Sequence, residues 1–501
     1  MSACAPRRRG TASLVEVFSA EYWRDICPHL HVGDEAAQMS LLASASDGAC
    51  CSTSKTQAVR SRLIAEGYAH LLPNDVRWST PVDGLAEGAR CLARHGWPAT
   101  ALSVYDEAWS LGRDAAELMK QATGNTPVMD TLGFYVEPGD ASKGFSPHRD
   151  RQPEDWIARG LAEDPRSTFR ADGTAKYTTA WIALTSATTD NSCLHFIPAP
   201  HDPGYYAGDG DGDGDGDDDP MRLCFPNKEA YQNIRAVNLP PGGVSFHTHR
   251  AIHWGSAGRV GENVEPRISI SFSFSDPEFE PPYFDPAELP FPPLRSRVAL
   301  MSGQIINYSS LGGTDGGGWK AIAGPLASSG DERTSDSWAE RLRLLHAAFR
   351  QESARFDRSY CNEITAKYVA ATAEAIGAAE SSASITTISM SNGSGGRSNK
   401  SSGCTEQKGC SSEDSDIEQG GHECGCADEN DGEEGEEEGG FFGLSSLKNA
   451  DDDVLDEALE ALLDAETTES RRGSSRFTDD YDVLSNENEH AVTQNKRRRN
   501  R

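Results

Sequence analysis

Two stretches roughly a hundred residues apart restrict this chain more than any other feature: Ser146-Pro147-His148-Arg149-Asp150 and Phe246-His247-Thr248-His249-Arg250-Ala251-Ile252-His253-Trp254-Gly255-Ser256. His148 and Asp150 stand two positions apart, so on an extended strand both side chains leave from one face. One imidazole and one carboxylate on one side of a strand, completed by a distant histidine, form the two-histidine, one-carboxylate set that suits non-haem Fe(II). Three protein ligands on one face of an octahedron leave three positions for a chelating co-substrate and for O2. Spacing alone leaves the closing histidine open among His247, His249 and His253.

The segment Pro266 to Phe274 alternates at period two, the pattern of a half-buried strand. Ile268, Ile270, Phe272 and Phe274 share one face, and Arg267, Ser269, Ser271 and Ser273 share the other. An arginine beside small hydroxyl residues on an inward face can hold the far carboxylate of a dicarboxylic co-substrate, because a guanidinium fork matches a carboxylate bidentately. Arg267 and Ser269 are the candidates for that task. Trp181 alternates with Thr179 and Ala183, which places it either along the cavity or in the core.

Taken together, the motifs resemble the phytanoyl-CoA dioxygenase family. The resemblance rests on His148-x-Asp150, on Trp181-Ile182-Ala183-Leu184 followed by Asn191-Ser192-Cys193-Leu194-His195-Phe196-Ile197-Pro198 and His201, and on His253-Trp254-Gly255-Ser256 with Arg267 fourteen residues on. It covers roughly residues 55–300, with its motifs in 131–275. The block reads Asn-Ser-Cys where family members often carry Asn-Gly-Cys, and the inserts at 151–176 and 208–220 are unusual. The resemblance selects His253 as the third ligand, so the implied metal set is His148, Asp150 and His253. It further implies Fe(II) and O2, 2-oxoglutarate as co-substrate on Arg267 and Ser269 with Trp181 nearby, hydroxylation of a small-molecule or acyl substrate with release of succinate and CO2, and compatibility with ascorbate. His201 would position neighbours near the site.

Short runs at 132–137, 177–185, 194–198, 236–239, 243–247 and 267–275, separated by Gly, Pro and Asp turns, read as strands. With the metal motif they suggest a mainly β fold, a double-stranded β-helix of the jelly-roll or cupin-like kind, which lets ligands from distant strands converge at one open end. Helical patterns at 56–72, 85–95 and 103–121 precede these strands and would buttress one face of the β core. Residues 1–55 read as mostly disordered apart from a short helix around Phe18–Cys27. Residues 276–334, rich in Pro and Gly, read as irregular wrapping, and 338–379 as one or two amphipathic helices. The implied oxygenase domain spans 56–380. From 381 the chain is Ser-, Gly- and acid-rich with few large apolar residues and should stay disordered.

The 501 residues carry a net charge of −31, which disfavours binding to nucleic acid or an anionic membrane. No run of eighteen apolar residues is present to span a bilayer. The 12 cysteines follow no framework spacing, as in a reducing intracellular compartment, cytoplasmic by preference. Arg149 reads as a solvated loop charge, the Gly-Asp repeat at 208–219 as a surface insertion, and Asn191 as a turn residue. Cys404, Cys410, His422, Cys424 and Cys426 fit no standard zinc spacing. The acidic amphipathic segment 451–464 could fold on a protein partner's groove. Two other classes of function remain: an idle scaffold acting through that segment, and a cupin-like metalloenzyme that uses no 2-oxoglutarate.

Overall fold

In the computed structural model the described residues are 12–46, 50–137, 145–151, 164–208, 221–256, 258–259, 264–309 and 334–372. The chain divides into two units, Met1–Ser398 and Asn399–Arg501, and every described residue belongs to the first. The Gly-Asp repeat beyond Gly208, the cysteine-rich stretch and the 451–464 segment lie outside the described residues.

Among the described residues, eight strands make two antiparallel sheets. They are β1 (Tyr68–Leu71), β2 (Thr126–Val136), β3 (Tyr177–Ala183), β4 (Leu194–Phe196), β5 (Arg235–Val237), β6 (Val244–Thr248), β7 (His253–Gly255) and β8 (Arg267–Ser275). The large sheet runs β1-β6-β3-β8-β2 and the small one β5-β4-β7. Residues directly opposed across antiparallel strands share a face. The pairings Ser269 with Ala183 and Phe134, Ser271 with Trp181 and Leu132, and Thr179 with His247 therefore put the polar residues of β8 on one side of the large sheet with Trp181, Thr179 and His247. The alternation expected at 266–274 is thus realised, and Ile268, Ile270 and Phe274 are buried on the other side.

Helices cover that apolar side. These are α1 (Leu14–Val17), α2 (Ala20–Ile26), α3 (Glu35–Ser46), α4 (Thr53–Glu66), α5 (Val82–Arg94), α6 (Asp106–Thr123), α7 (Leu294–Asn307), α8 (Thr334–Glu352) and α9 (residues 358–372). A single core joins Leu85, Leu111, Leu118, Ile270, Phe274, Met301 and Phe349. α6 lies so close on β8 that a Cβ at Gly112 would come 2.9 Å from the Phe272 ring. The opposite face of the large sheet builds a separate cluster with the small sheet, from Leu132, Phe134, Trp181, Cys193, Leu194, Phe196, Val237 and Leu239. The fold is therefore an antiparallel two-sheet core with helices on one outer face.

Three expectations need correction. Residues 12–46, expected to lack order beyond one helix, are helical and packed: Trp23 is fully buried, its indole donates to the Val17 carbonyl at 2.8 Å, and it lies 5.0 Å from the Trp97 ring. The helix expected over 56–72 stops at Gly67, which adopts the left-handed φ of 77° that glycine tolerates, and Tyr68–Leu71 then pairs with β6 as an edge strand. The 276–334 stretch, expected to be irregular, contains α7, starting directly after Pro293. Its Arg297 is buried against Asp106 at 2.6 Å, both side chains 1% exposed or less. Proline is tolerated at helix starts, so the Pro-rich lead-in marked a beginning and not an absence.

Candidate metal and co-substrate site

His148 and Asp150 sit on an extended segment held to β7 by a single bridge: the His148 amide donates to the His253 carbonyl at 3.1 Å and the His253 amide returns the bond at 3.0 Å. This is less than the full strand expected, yet it fixes the register that matters, because it sets the two imidazoles 4.4 Å apart between ring centres. One ligand atom from each of His148, Asp150 and His253 lies within 4.8 Å of the others. Asp150 Oδ1 is 3.8 Å from His148 Nε2 and 3.4 Å from His253 Nε2.

Each imidazole is oriented by its other nitrogen. His148 Nδ1 meets the Ser146 carbonyl at 2.7 Å, and His253 Nδ1 meets the Ala251 carbonyl at 3.0 Å. With protons on Nδ1, both Nε2 atoms present lone pairs toward Asp150 Oδ1, the arrangement metal-ligating histidines use. Burial holds the His253 imidazole well below its ordinary pKa and the His148 imidazole below its own, which keeps both neutral. Burial opposes charge on Asp150, but the His247 and His253 rings and the His247 hydrogen bond outweigh it and hold the carboxyl well below its usual range. The set is one carboxylate with two neutral imidazoles, ready to take a divalent cation.

Arg267 is 2% exposed and lies on the same side of β8 as Ser269. Its Nη1 donates to Ser269 Oγ at 3.3 Å and its guanidinium carbon stands 5.4 Å from the centre of the Trp181 ring. Burial lowers its pKa to about 10, with only the Cys193 thiol opposing. Its Nε is buried without a hydrogen-bond partner, and no carboxylate among the described residues pairs with it. A guanidinium desolvated this far fits an anion that the described residues do not provide. The structure thus brings Arg267, Ser269 and Trp181 together.

Of the other candidates, His249 is buried between the Thr168 hydroxyl, 2.9 Å from Nε2, and the Tyr177 carbonyl. Asn191 closes a turn through the Thr188 amide at 2.7 Å and ties it to the Glu265 carbonyl, as a turn residue should. Two calls change. His201 is exposed, and it is the next residue, Asp202, that reaches the site's support. Arg149 is not a solvated charge, since it forms an ion pair with Asp202 at 2.6 Å, both side chains 1% exposed or less.

Sequence reasoning missed a second polar group beside the triad, with Asp130, Tyr177 and Glu280 buried and Arg151 and Tyr308 half-buried. Arg151 donates to Asp130 at 3.2 Å and to Glu280 at 3.2 Å, and lies 4.9 Å from the Tyr177 ring centre. The hydroxyls of Tyr177 and Tyr308 both reach Asp130 Oδ2, at 3.4 and 3.0 Å. Burial pushes the Asp130 carboxyl up to about 6. Nothing in local periodicity marks these five residues as a group; they converge only in three dimensions.

Among solved structures, the chain is similar at 20% identity to the non-heme alpha ketoglutarate dependent epimerase SnoN from nogalamycin biosynthesis, over 45% of this chain and 84% of that one, with a TM-score of 0.28. It is similar at 18% identity to the carbocyclase SnoK of the same biosynthesis (47% and 91% covered, TM-score 0.30). AviO1 from Streptomyces viridochromogenes Tue57 is also 18% identical (44% and 94% covered, TM-score 0.28). No curated protein matches the chain. The family model described as Phytanoyl-CoA dioxygenase (PhyH) matches residues 91–260, a span that contains the whole triad and ends before Arg267. Residues 91–260, which carry His148, Asp150 and His253, are thus similar to the phytanoyl-CoA dioxygenase (PhyH) family.

Proposed function

We propose that the chain is a non-haem Fe(II)- and 2-oxoglutarate-dependent dioxygenase that hydroxylates a small-molecule or acyl substrate and releases succinate and CO2. The core is read as a jelly roll, and the domain as residues 56–380 extended by the packed helices of 12–46. His148, Asp150 and His253 would hold Fe(II). Arg267 and Ser269 would hold the distal carboxylate of 2-oxoglutarate, with Trp181 forming one wall. With O2 as the four-electron oxidant, bound iron would supply the chemistry for breaking a substrate C–H bond, two electrons coming from 2-oxoglutarate as it becomes succinate and CO2 and two from the substrate.

The chain's own residues do the positioning. The Ser146 and Ala251 carbonyls fix the two imidazole tautomers, so that both Nε2 atoms point to one place. The hydroxyl and guanidinium of β8 offer a fixed anion seat, and the two-sheet apolar cluster around Trp181, Phe134 and Phe196 keeps bulk water from it. The observation that carries the reading is the buried Arg267, with no carboxylate partner among the described residues, on the large-sheet face that also bears Thr179, a hydrogen-bond donor to Asp150. It favours a co-substrate carboxylate and weighs against a cupin-like enzyme that needs none.

The test is succinate formation from 2-oxoglutarate, with and without Fe(II), in the full chain and in His148→Ala and Asp150→Ala. Iron-dependent turnover lost in both variants supports the reading. Undiminished turnover in both sinks it.

A further inference from the structure

His247 stands beside the triad without belonging to it. It faces Thr179 directly across β6 and β3, and the two converge on the same atom. Thr179 Oγ1 donates to Asp150 Oδ2 at 2.6 Å, and His247 Nε2 lies 3.0 Å from that oxygen. The other carboxylate oxygen, Oδ1, is the one turned to His148 and His253. The two oxygens of Asp150 are thus divided between different neighbours.

We propose that Thr179 and His247 form a two-point clasp on Asp150 Oδ2 that restricts the carboxylate to one metal bond. The inference rests on the metal reading above. A carboxylate free to turn can chelate through both oxygens and occupy two of six positions. With Oδ2 already accepting two hydrogen bonds, only Oδ1 is left for a cation, and three positions stay open for co-substrate and O2. The clasp also fixes the tautomer of His247. For its Nε2 to donate, the proton must sit there, which leaves Nδ1 as an acceptor. That atom is buried with no partner, as expected of a ring oriented by one bond.

The arrangement explains why His247, although 4.1 Å from His253 between ring centres, is not a third imidazole ligand. Its polar edge is spent on the oxygen pointing away from the other two rings. Both clasp residues sit on neighbouring inner strands of the large sheet, 6% and 2% exposed, where packing restricts their rotamers. They are positioning residues, acting on a metal through Asp150.

The test uses the full chain and Co(II), whose visible bands report binding and coordination without turnover. Thr179→Val removes the donor and keeps the shape; Thr179→Ser keeps the donor; His247→Phe removes the second donor and keeps a ring. The expected result is a Co(II) Kd raised tenfold or more in Thr179→Val and in His247→Phe, and restored to within about threefold of the parent in Thr179→Ser. Thermal midpoints of the metal-free chains should stay within a few degrees of one another. Val and Phe variants that bind Co(II) as tightly as the parent would overturn the clasp while leaving the triad intact. Complete loss in His247→Phe with binding retained in His253→Ala would overturn it differently, by making His247 a ligand. A parent that takes up no Co(II) removes the metal reading and the clasp with it.

Discussion

Arg149 and Asp202, 53 positions apart, form a two-pronged ion pair in the interior: Nη1 meets Oδ2 at 2.6 Å and Nη2 meets Oδ1 at 2.9 Å. Arg149 lies between His148 and Asp150 in sequence, so this pair anchors the backbone that carries two of the three triad residues. Asp202 is held in turn by the Gly204 amide at 3.0 Å. Removing one partner of a buried pair strands the other charge, at a cost of about 3–5 kcal/mol. Asp202→Ala should therefore lower stability by roughly that amount and weaken metal uptake with it. Urea unfolding combined with metal titration checks both; an unchanged midpoint and Kd would contradict the anchor.

Arg267→Lys keeps a positive charge but loses the planar fork. The expected outcome is a 2-oxoglutarate Kd at least tenfold higher with metal affinity nearly unchanged, because Lys offers a point charge where two parallel donors were available. Arg267→Ala should go further. Equal loss of metal and 2-oxoglutarate binding would show that Arg267 supports the fold and not the co-substrate.

His346 of α8 stacks on Tyr368 of α9 at 3.8 Å, 9% exposed, with Nε2 lacking a partner. Burial and then the Arg350 cation lower its pKa from 6.5 to about 4. The folded-state value lies below the unfolded one, so as pH falls the unfolded chain takes up the proton first. The stability from this neutral imidazole is complete above pH 6.5 and is lost between there and about pH 4, to a total of roughly 3 kcal/mol. His346→Phe should flatten the stability profile across that window, which unfolding midpoints at several pH values will report.

Gly133 lies where β2 meets the 3-10 turn Ala99–Val104, and a Cβ there would stand 2.3 Å from the Ala99 carbonyl oxygen. Thr100 Oγ1 holds both the amide and the carbonyl of Gly133 at 3.2 Å. Backbone meets backbone at this point, so no side chain can turn away to make room. Gly133→Ala should cost about 2 kcal/mol or more, within the range of overpacked interiors. Thermal denaturation is the measurement, and a midpoint equal to the parent's would contradict the contact.

The parts of the site legible in the sequence were those carried by short-range pattern. The i, i+2 spacing of His148 and Asp150 and the alternation of Arg267–Ser275 both follow from strand geometry, and the structure places their side chains as that geometry requires. What the sequence hid depends on convergence. Arg149 looked like a loop charge because its partner Asp202 is remote, and Asp130, Arg151 and Glu280 have no local signature at all. His247 and His253 could not be separated by spacing, since the difference lies in which oxygen of Asp150 each approaches. The N-terminal helices were hidden by a mixed, Ala- and Ser-rich composition, and it is the burial of Trp23, Ile26 and Leu30 in the structure that reveals their seat.

One site is expected to bind Fe(II) through His148, Asp150 and His253 and then 2-oxoglutarate through Arg267. The most direct measurement is an anaerobic titration of the full chain with Fe(II) followed by 2-oxoglutarate, watching the weak visible charge-transfer band of the chelate. A band that saturates in the parent, vanishes in His253→Ala and needs far more 2-oxoglutarate in Arg267→Ala is the predicted result. Iron bound with no band at any 2-oxoglutarate concentration would contradict it.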